Sequence, residues 1–167
     1  MRSELLGLFW SDVDFDKKTI TVNRQRTRTD LGPPKSKSGY RTIGIEDALL
    51  NELAAYKAWQ DENEKTNAHY LKSEYIFVDN SGKIFYHTKP QDLMMNLLRY
   101  AKLTVRKSAH LLRHTHAVMM LESGSDIKTV STRLGHKNID ITANVYLHVT
   151  PEHERNALKK FEDYLKN

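Results

Sequence analysis

His110-Leu-Leu-Arg113-His114-Thr115, then Leu134-Gly135-His136, then Thr142, then Tyr146-Leu147-His148: this stretch decides how the chain is read. Its polar side chains suit the handling of a phosphodiester. Arg113 offers a planar fork of donors that matches phosphate oxygens. His110 and His136 can donate hydrogen bonds or move protons near neutral pH. Tyr146 brings a phenolic oxygen, a nucleophile where its charge is stabilised. Local patterns gather these groups on three short helices. Ser108 serves as N-cap of the first, which carries the apolar run Ala117 to Leu121 and ends near Gly124. His110 and Arg113 are three apart on it and share a face. Ile127, Val130 and Leu134 stripe the second helix, started by Ser125 or Asp126 and stopped by Gly135. His136 lies just past that stop. Ile141, Val145 and Val149 stripe the third, which carries Tyr146.

Upstream, residues 3 to 10 read as a helix end with Leu5, Leu8 and Phe9 on one face. Val13-Asp14-Phe15, Thr19 to Asn23 and Arg41 to Ile45 read as three short strands, with a turn at Asp16-Lys17-Lys18. The long connection from Arg24 to Tyr40 carries Gly32-Pro33-Pro34 and reads as a mobile loop. A helix follows from Glu46 to about Lys65, with Leu49, Leu50, Leu53 and Tyr56 inward. Tyr75 to Val78 is extended and turns at Asn80-Ser81-Gly82. Thr88 caps a helix with Pro90 in its first turn and a buried stripe of Leu93, Met94, Leu97, Leu98 and Ala101. Downstream, Thr150-Pro151-Glu152 opens a last helix, with Ala157, Leu158, Phe161, Tyr164 and Leu165 on one side. The whole is an α+β chain, mostly helical, with one small antiparallel three-stranded sheet.

The 167 residues suit one domain with a real core. A net charge of +5 is compatible with nucleic acid but ordinary by itself. The distribution says more. From Arg24 to Arg41 there are six basic residues and one acid, Asp30; from Leu93 to Leu121 there are five basic residues and no acid. Such concentration is the footprint expected for a polyanion. The absence of cysteine excludes disulfides and thiolate metal sites and suits a cytoplasmic setting. The apolar runs are too short to span a membrane, and no signal-like N-terminus is present.

His-x-x-Arg-His-Thr, Leu-Gly-His, Thr and Tyr-x-His, in that order, resemble the tyrosine recombinase (phage integrase) family. Ser3-Glu4-Leu5-Leu6-Gly7-Leu8-Phe9-Trp10-Ser11-Asp12-Val13-Asp14 is similar to the family's first catalytic-domain box. Ser36-Lys37-Ser38-Gly39-Tyr40-Arg41-Thr42-Ile43 is similar to its β-hairpin lysine segment. Each piece is weak alone; four in family order are specific. The resemblance implies a DNA-breaking and rejoining fold and a site-specific recombinase or integrase of a mobile element. It implies that Tyr146 attacks DNA to form a 3′-phosphotyrosine, that Arg113, His110 and His136 stabilise the phosphorane, and that Lys37 protonates the leaving oxygen, with Lys35 as its competitor. No metal or other cofactor is implied. The expected partner is double-stranded DNA, gripped through Arg24, Arg26, Arg28, Lys35, Arg41, Arg106 and Lys107. The expected assembly is a homotetramer on DNA, monomeric in isolation, with no membrane contact.

One departure stands out. The family pattern Arg-x-(Ser/Gly)-(Glu/Asp) puts its first catalytic arginine at position 1, where this chain has Met. Arg2 is one residue late, about 100° round a helix. The expectation is a catalytic-domain fragment, residues 1–167, without the N-terminal core-binding domain, weak or inactive alone, with 154–167 as a C-terminal docking helix. Other readings stay open: a type IB topoisomerase-like relaxing enzyme, a metal-dependent phosphoesterase using His110, His114 and His116, or a plain DNA-binding module. The phosphoesterase lacks the glutamate that a zinc hydrolase helix carries beside its histidines.

Overall fold

Apolar residues alternating with polar ones at Val13, Ile20 and Val22 build the sheet. The computed structural model describes residues 2–103, 110–146 and 151–166; for residues 145–160, side chains are described only for Arg155, Leu158 and Lys159. The chain divides into two compact units, Met1–His110 and Leu111–Asn167. In the first, β1 (Val13–Asp14), β2 (Thr19–Val22) and β5 (Arg41–Gly44) form an antiparallel sheet in the order β1-β2-β5. Val13 faces Ile20, and Ile20 faces Ile43, so one face of the sheet is apolar. On the polar face the Thr21 and Thr42 hydroxyls lie 3.0 Å apart. The three strands and the turn after β1 stand where the sequence puts them. Lys18 takes a left-handed conformation there, φ 53°.

The connection from Arg24 to Tyr40 is not one plain loop. It holds a second hairpin, β3 (Gln25–Arg26) with β4 (Leu31–Gly32), and a 3-10 turn, Lys37–Gly39. Glycine explains two of its close approaches. A Cβ on Gly39 would sit 2.5 Å from Pro34 Cβ, and one on Gly7 would sit 3.1 Å from the backbone of β3. The first helix, α1, is only Arg2–Leu5. Leu5, Leu8 and Phe9 therefore do not share a helical face: Leu5 is exposed, Leu6 and Leu8 are buried, and Phe9 pairs with Tyr75 in an isolated bridge.

Helix α2 (Asp47–Thr66) lays Leu50, Leu53 and Tyr56 on a core of Leu8, Val13, Ile20, Ile45 and Ile76. Leu49, expected inward, is exposed. One turn beyond Tyr56, the buried residue of α2 is polar. Gln60 donates to Ile76 O at 2.7 Å and accepts from Trp10 Nε1 at 2.9 Å, so both ends of its amide are satisfied. In α3 (Lys89–Tyr100) only the row Met94–Leu98 is buried; Leu93, Leu97 and Ala101 are exposed. Residues four apart form one row, and the neighbouring row lies about 100° round the helix.

The second unit is smaller. Helix α4 (His110–Glu122) buries Ala117 and Leu121 against Val130 and Leu134 of α5 (Ile127–Leu134). Gly124 (φ 90°) ends the α4 segment, and Gly135 (φ 67°) caps α5 in the left-handed region. Asp126 is the N-cap of α5: its carboxylate accepts from Thr129 N at 2.9 Å. Ser108, the expected cap of α4, lies outside the described residues. Then come α6 (Asp140–Tyr146) and α7 (Pro151–Leu165). In α6 Ile141 is exposed and Thr142 is fully buried, the reverse of the expected stripe; Val149 lies outside the described residues. Among the described residues no helix is long and apolar enough to cross a membrane.

Candidate active site

The second unit joins three of the quoted motifs through their side chains. Arg113 lies one turn into α4, half-buried. Gly135 turns the chain sharply after α5, and the next residue, His136, donates its backbone N–H to Ser131 O at 3.0 Å. That turn brings the imidazole to α4. Arg113 Nε donates to His136 Nε2 at 3.3 Å. On the other side of the ring, His136 Nδ1 and Thr142 Oγ1 are 2.7 Å apart. A guanidinium, an imidazole and a buried hydroxyl thus form one line from α4 to α6.

Tyr146 closes α6, four residues after Thr142, which is about one helical turn. Its side chain is outside the described set, as are His148, Arg106 and Lys107 in full. His110 opens α4 and is exposed. A second arginine–histidine contact, which sequence reasoning missed, also links α4 and α5: Arg133 Nε donates to His116 Nε2 at 3.1 Å. The donation occupies the lone pair that a metal would need at that nitrogen. Among the described residues, no group of three metal-ligating side chains is gathered.

The first unit holds the lysine segment. Lys37 begins the 3-10 turn and is exposed; Lys35 is exposed two residues earlier. The turn is closed by Gly39 N to Ser36 O at 2.9 Å and Tyr40 N to Lys37 O at 3.2 Å. Arg41 braces it. One guanidinium nitrogen donates to Gly39 O at 2.9 Å, and another meets Glu4 Oε2 at 2.8 Å. Both side chains of this pair are nearly buried, at 11% and 13% exposure. Burial alone would push the Glu4 carboxyl up, but charged donors including Arg41 more than offset it and hold the carboxyl below its ordinary value.

Three arginines expected on DNA have intrachain partners. Besides Arg41, Arg24 meets buried Asp12 at 2.5 Å and lies over the Phe9 ring at 4.0 Å. Arg26 donates to Phe85 O at 2.6 Å. Asp12 also accepts from Phe9 N and Asn23 Nδ2, so Arg24 closes a local network. The basic cluster of the sequence is therefore divided. Arg28 and Lys35 are exposed, whereas Arg24, Arg26 and Arg41 brace the hairpin region. The linear spacing of the arginines carried no signal for that division, because the acids that engage two of them are 12 and 37 residues away.

Comparison with known proteins agrees with this architecture. The model of the phage integrase family matches residues 1–153. A tyrosine recombinase XerC-like protein of Caldanaerobacter subterraneus subsp. tengcongensis is 34% identical, over 97% of this chain and 46% of its own length. The ICEBs1 integrase of Bacillus subtilis is 30% identical, over 97% of this chain and 45% of its own. The chain thus spans about half the length of these curated relatives. Among solved structures, a Tn1549 transposon integrase in complex with transposon right end DNA has a TM-score of 0.75 at 21% identity, covering 96% of this chain and 54% of that one. The crystal structure of XerA recombinase has a TM-score of 0.73 at 22% identity, covering 96% and 52%. These two likenesses show the fold: a mostly helical tyrosine recombinase catalytic fold with a small antiparallel sheet.

Proposed function

The chain belongs to the phage integrase family, and on that premise we propose that residues 1–167 act as the catalytic domain of a site-specific DNA recombinase. The observation that carries this reading is the line Arg113–His136–Thr142, in which two motif residues meet one turn before the motif tyrosine. Tyr146 attacks the phosphodiester, forms a 3′-phosphotyrosyl link and frees a 5′-hydroxyl. Arg113, His110 and His136 stabilise charge on the pentacoordinate phosphorus, as preorganised donors do in phosphoryl transfer. Lys37, exposed on its turn, gives a proton to the leaving 5′-oxygen. A 5′-hydroxyl of a partner strand reverses the step. Bond energy is kept in the protein–DNA link, so the reaction calls for no nucleotide and no metal.

Double-stranded DNA is the substrate in this reading. Arg28 and Lys35, both exposed, contact its phosphates, together with Arg106 and Lys107 on sequence grounds. Arg24, Arg26 and Arg41 shape the surface that carries them. The relatives and solved neighbours named tyrosine recombinase or integrase support DNA as the partner. Assembly as a tetramer on DNA, with a monomer in isolation, extends the proposal, and so does a cytoplasmic setting. Residues 154–167 dock on a neighbouring protomer. Supporting this, Leu158, Phe161, Tyr164 and Leu165 of α7 are all exposed. Removing residues 154–167 is expected to leave the fold intact and to alter assembly on DNA.

The experiment is a nicked suicide duplex incubated with the whole polypeptide that carries this chain and resolved on a denaturing gel. A covalent adduct is expected, and Tyr146→Phe abolishes it while binding stays nearly intact. An adduct that persists in the phenylalanine variant removes Tyr146 as nucleophile. Joining two different duplexes separates a recombinase from an enzyme that only relaxes one.

A further inference from the structure

Arginine chemistry fixes where the proton on His136 must be. A guanidinium remains protonated and has donors only. At the contact of Arg113 Nε with His136 Nε2, 3.3 Å, the ring nitrogen is therefore the acceptor. A neutral imidazole with a bare Nε2 carries its hydrogen on Nδ1. The 2.7 Å contact on that side is then Nδ1–H donating to Thr142 Oγ1. Thr142 has 0% exposure, so water does not compete for its hydroxyl.

A phosphate-contacting His136 needs the opposite arrangement. To donate to a phosphate oxygen, Nε2 must carry the hydrogen, and Nδ1 then needs a donor. A threonine hydroxyl has one hydrogen and two lone pairs and rotates about its own bond. It can accept from Nδ1–H, or turn and donate to a bare Nδ1. An apolar residue of the same shape can do neither, and a carboxylate can only accept.

We propose that Thr142 is a positioning residue for His136: its hydroxyl holds the ring in the Nδ1–H form while Arg113 occupies Nε2, and supports the Nε2–H form once a phosphate draws Arg113 away. The ring stays in place and only a proton and a hydroxyl rotor change. This rests on the reading of His136 as a phosphate contact.

The test is 15N-edited NMR of the imidazole in the DNA-free chain, at a pH high enough for the ring to be neutral. The wild type is expected to show the Nδ1–H tautomer at His136. Thr142→Val, which keeps the shape and removes the hydroxyl, leaves the Nδ1–H without its acceptor: the tautomer stays, the Nδ1–H proton is expected to lose its hydrogen-bonded shift, and Thr142→Ser to restore it. In the whole polypeptide, Thr142→Val is expected to slow cleavage at saturating DNA without weakening binding, with Thr142→Ser again restoring the rate. An Nε2–H tautomer in the DNA-free wild type overturns the proposal, as does an Nδ1–H proton shift unchanged in Thr142→Val. If the valine variant does not fold, the wild-type spectrum and the serine variant decide. The outcome is separable from that of the catalytic reading. A DNA adduct at Tyr146 with an Nδ1–H proton shift indifferent to Thr142 removes only this inference. The expected tautomer with no adduct removes only the catalytic one.

Discussion

Gly82 shows how much one position can constrain. Its φ is 78°, and a Cβ there would lie 1.9 Å from Leu71 O, a backbone atom. Gly82→Ala therefore combines a left-handed strain of about 1–3 kcal/mol with a clash that only a backbone shift can relieve. A clear fall in melting temperature is expected; a melting curve unchanged from wild type would contradict the geometry. A second residue-scale expectation concerns position 1, occupied by Met where the family pattern has arginine. A second guanidinium on the scissile phosphate is the kind of preorganised donor worth about 10²–10³ in rate. Met1→Arg is expected to raise the cleavage rate on a nicked duplex towards that range. Equal rates would mean that Arg2 already does this work or that the register is misassigned.

At the scale of elements, the Glu4–Arg41 pair ties α1 to β5 and, through Gly39 O, to the lysine turn. Glu4→Gln leaves a nearly buried guanidinium without its counter-charge, which is expected to cost about 1–3 kcal/mol at neutral pH. The sign of the pH dependence follows from the depressed carboxyl. Its ordinary value is 4.5 and its folded value lies lower. The stabilisation is fully present above about 4.5 and is lost as pH falls through the folded value. Acid titration of stability should thus be shallower in Glu4→Gln than in wild type below that point; parallel curves would show that the pair does not carry the effect. Elements of this kind are also where the sequence was least legible. Strand alternation placed β1, β2 and β5 well, because burial on one face is a local pattern. The Asp126 cap and the Gly135 stop of α5 were equally local. The β3–β4 hairpin has strands of two residues each, too short to alternate, and it sits where Gly32-Pro33-Pro34 suggested a loop. Gln60 is buried only because Trp10 and the Ile76 carbonyl await it from distant segments. The motif spacing singled out Arg113 and His136 as partners for a phosphate, but not their contact with each other. That contact depends on the angle at which Gly135 returns the chain. Thr142 lay within the quoted stretch, yet its burial depends on packing that no spacing reveals.

For the whole molecule, the basic composition suggests a DNA-binding surface, and the intrachain partners of three arginines lead us to propose which residues carry it. Counting lysine and arginine from Arg24 to Arg41 suggests six phosphate contacts, but Arg24 and Arg41 are paired with Asp12 and Glu4, and Arg26 with a carbonyl. An arginine whose charge is already compensated, as Arg24 and Arg41 are, displaces few DNA counterions; Arg26 keeps its charge but has a donor committed to Phe85 O. Arg28, Lys35 and Lys37 remain exposed in that segment. Each phosphate neutralised contributes roughly −0.9 to the slope of log affinity against log salt. Binding of this chain to duplex DNA is accordingly expected to be weak, poor in sequence preference and steeply salt-dependent. Arg28→Ala, Lys35→Ala and Lys37→Ala should each make the slope shallower by roughly 0.9 with little change in melting temperature. Arg24→Ala should do the reverse. It leaves Asp12 buried without its cation and lowers the melting temperature, while the salt slope hardly moves. Titrations of one fluorescent duplex across a salt series, run beside thermal melts of the same variants, separate the two classes. A salt slope that drops as much for Arg24→Ala as for Lys35→Ala would mean that the Arg24–Asp12 pair opens on DNA and that the composition alone had been the better guide.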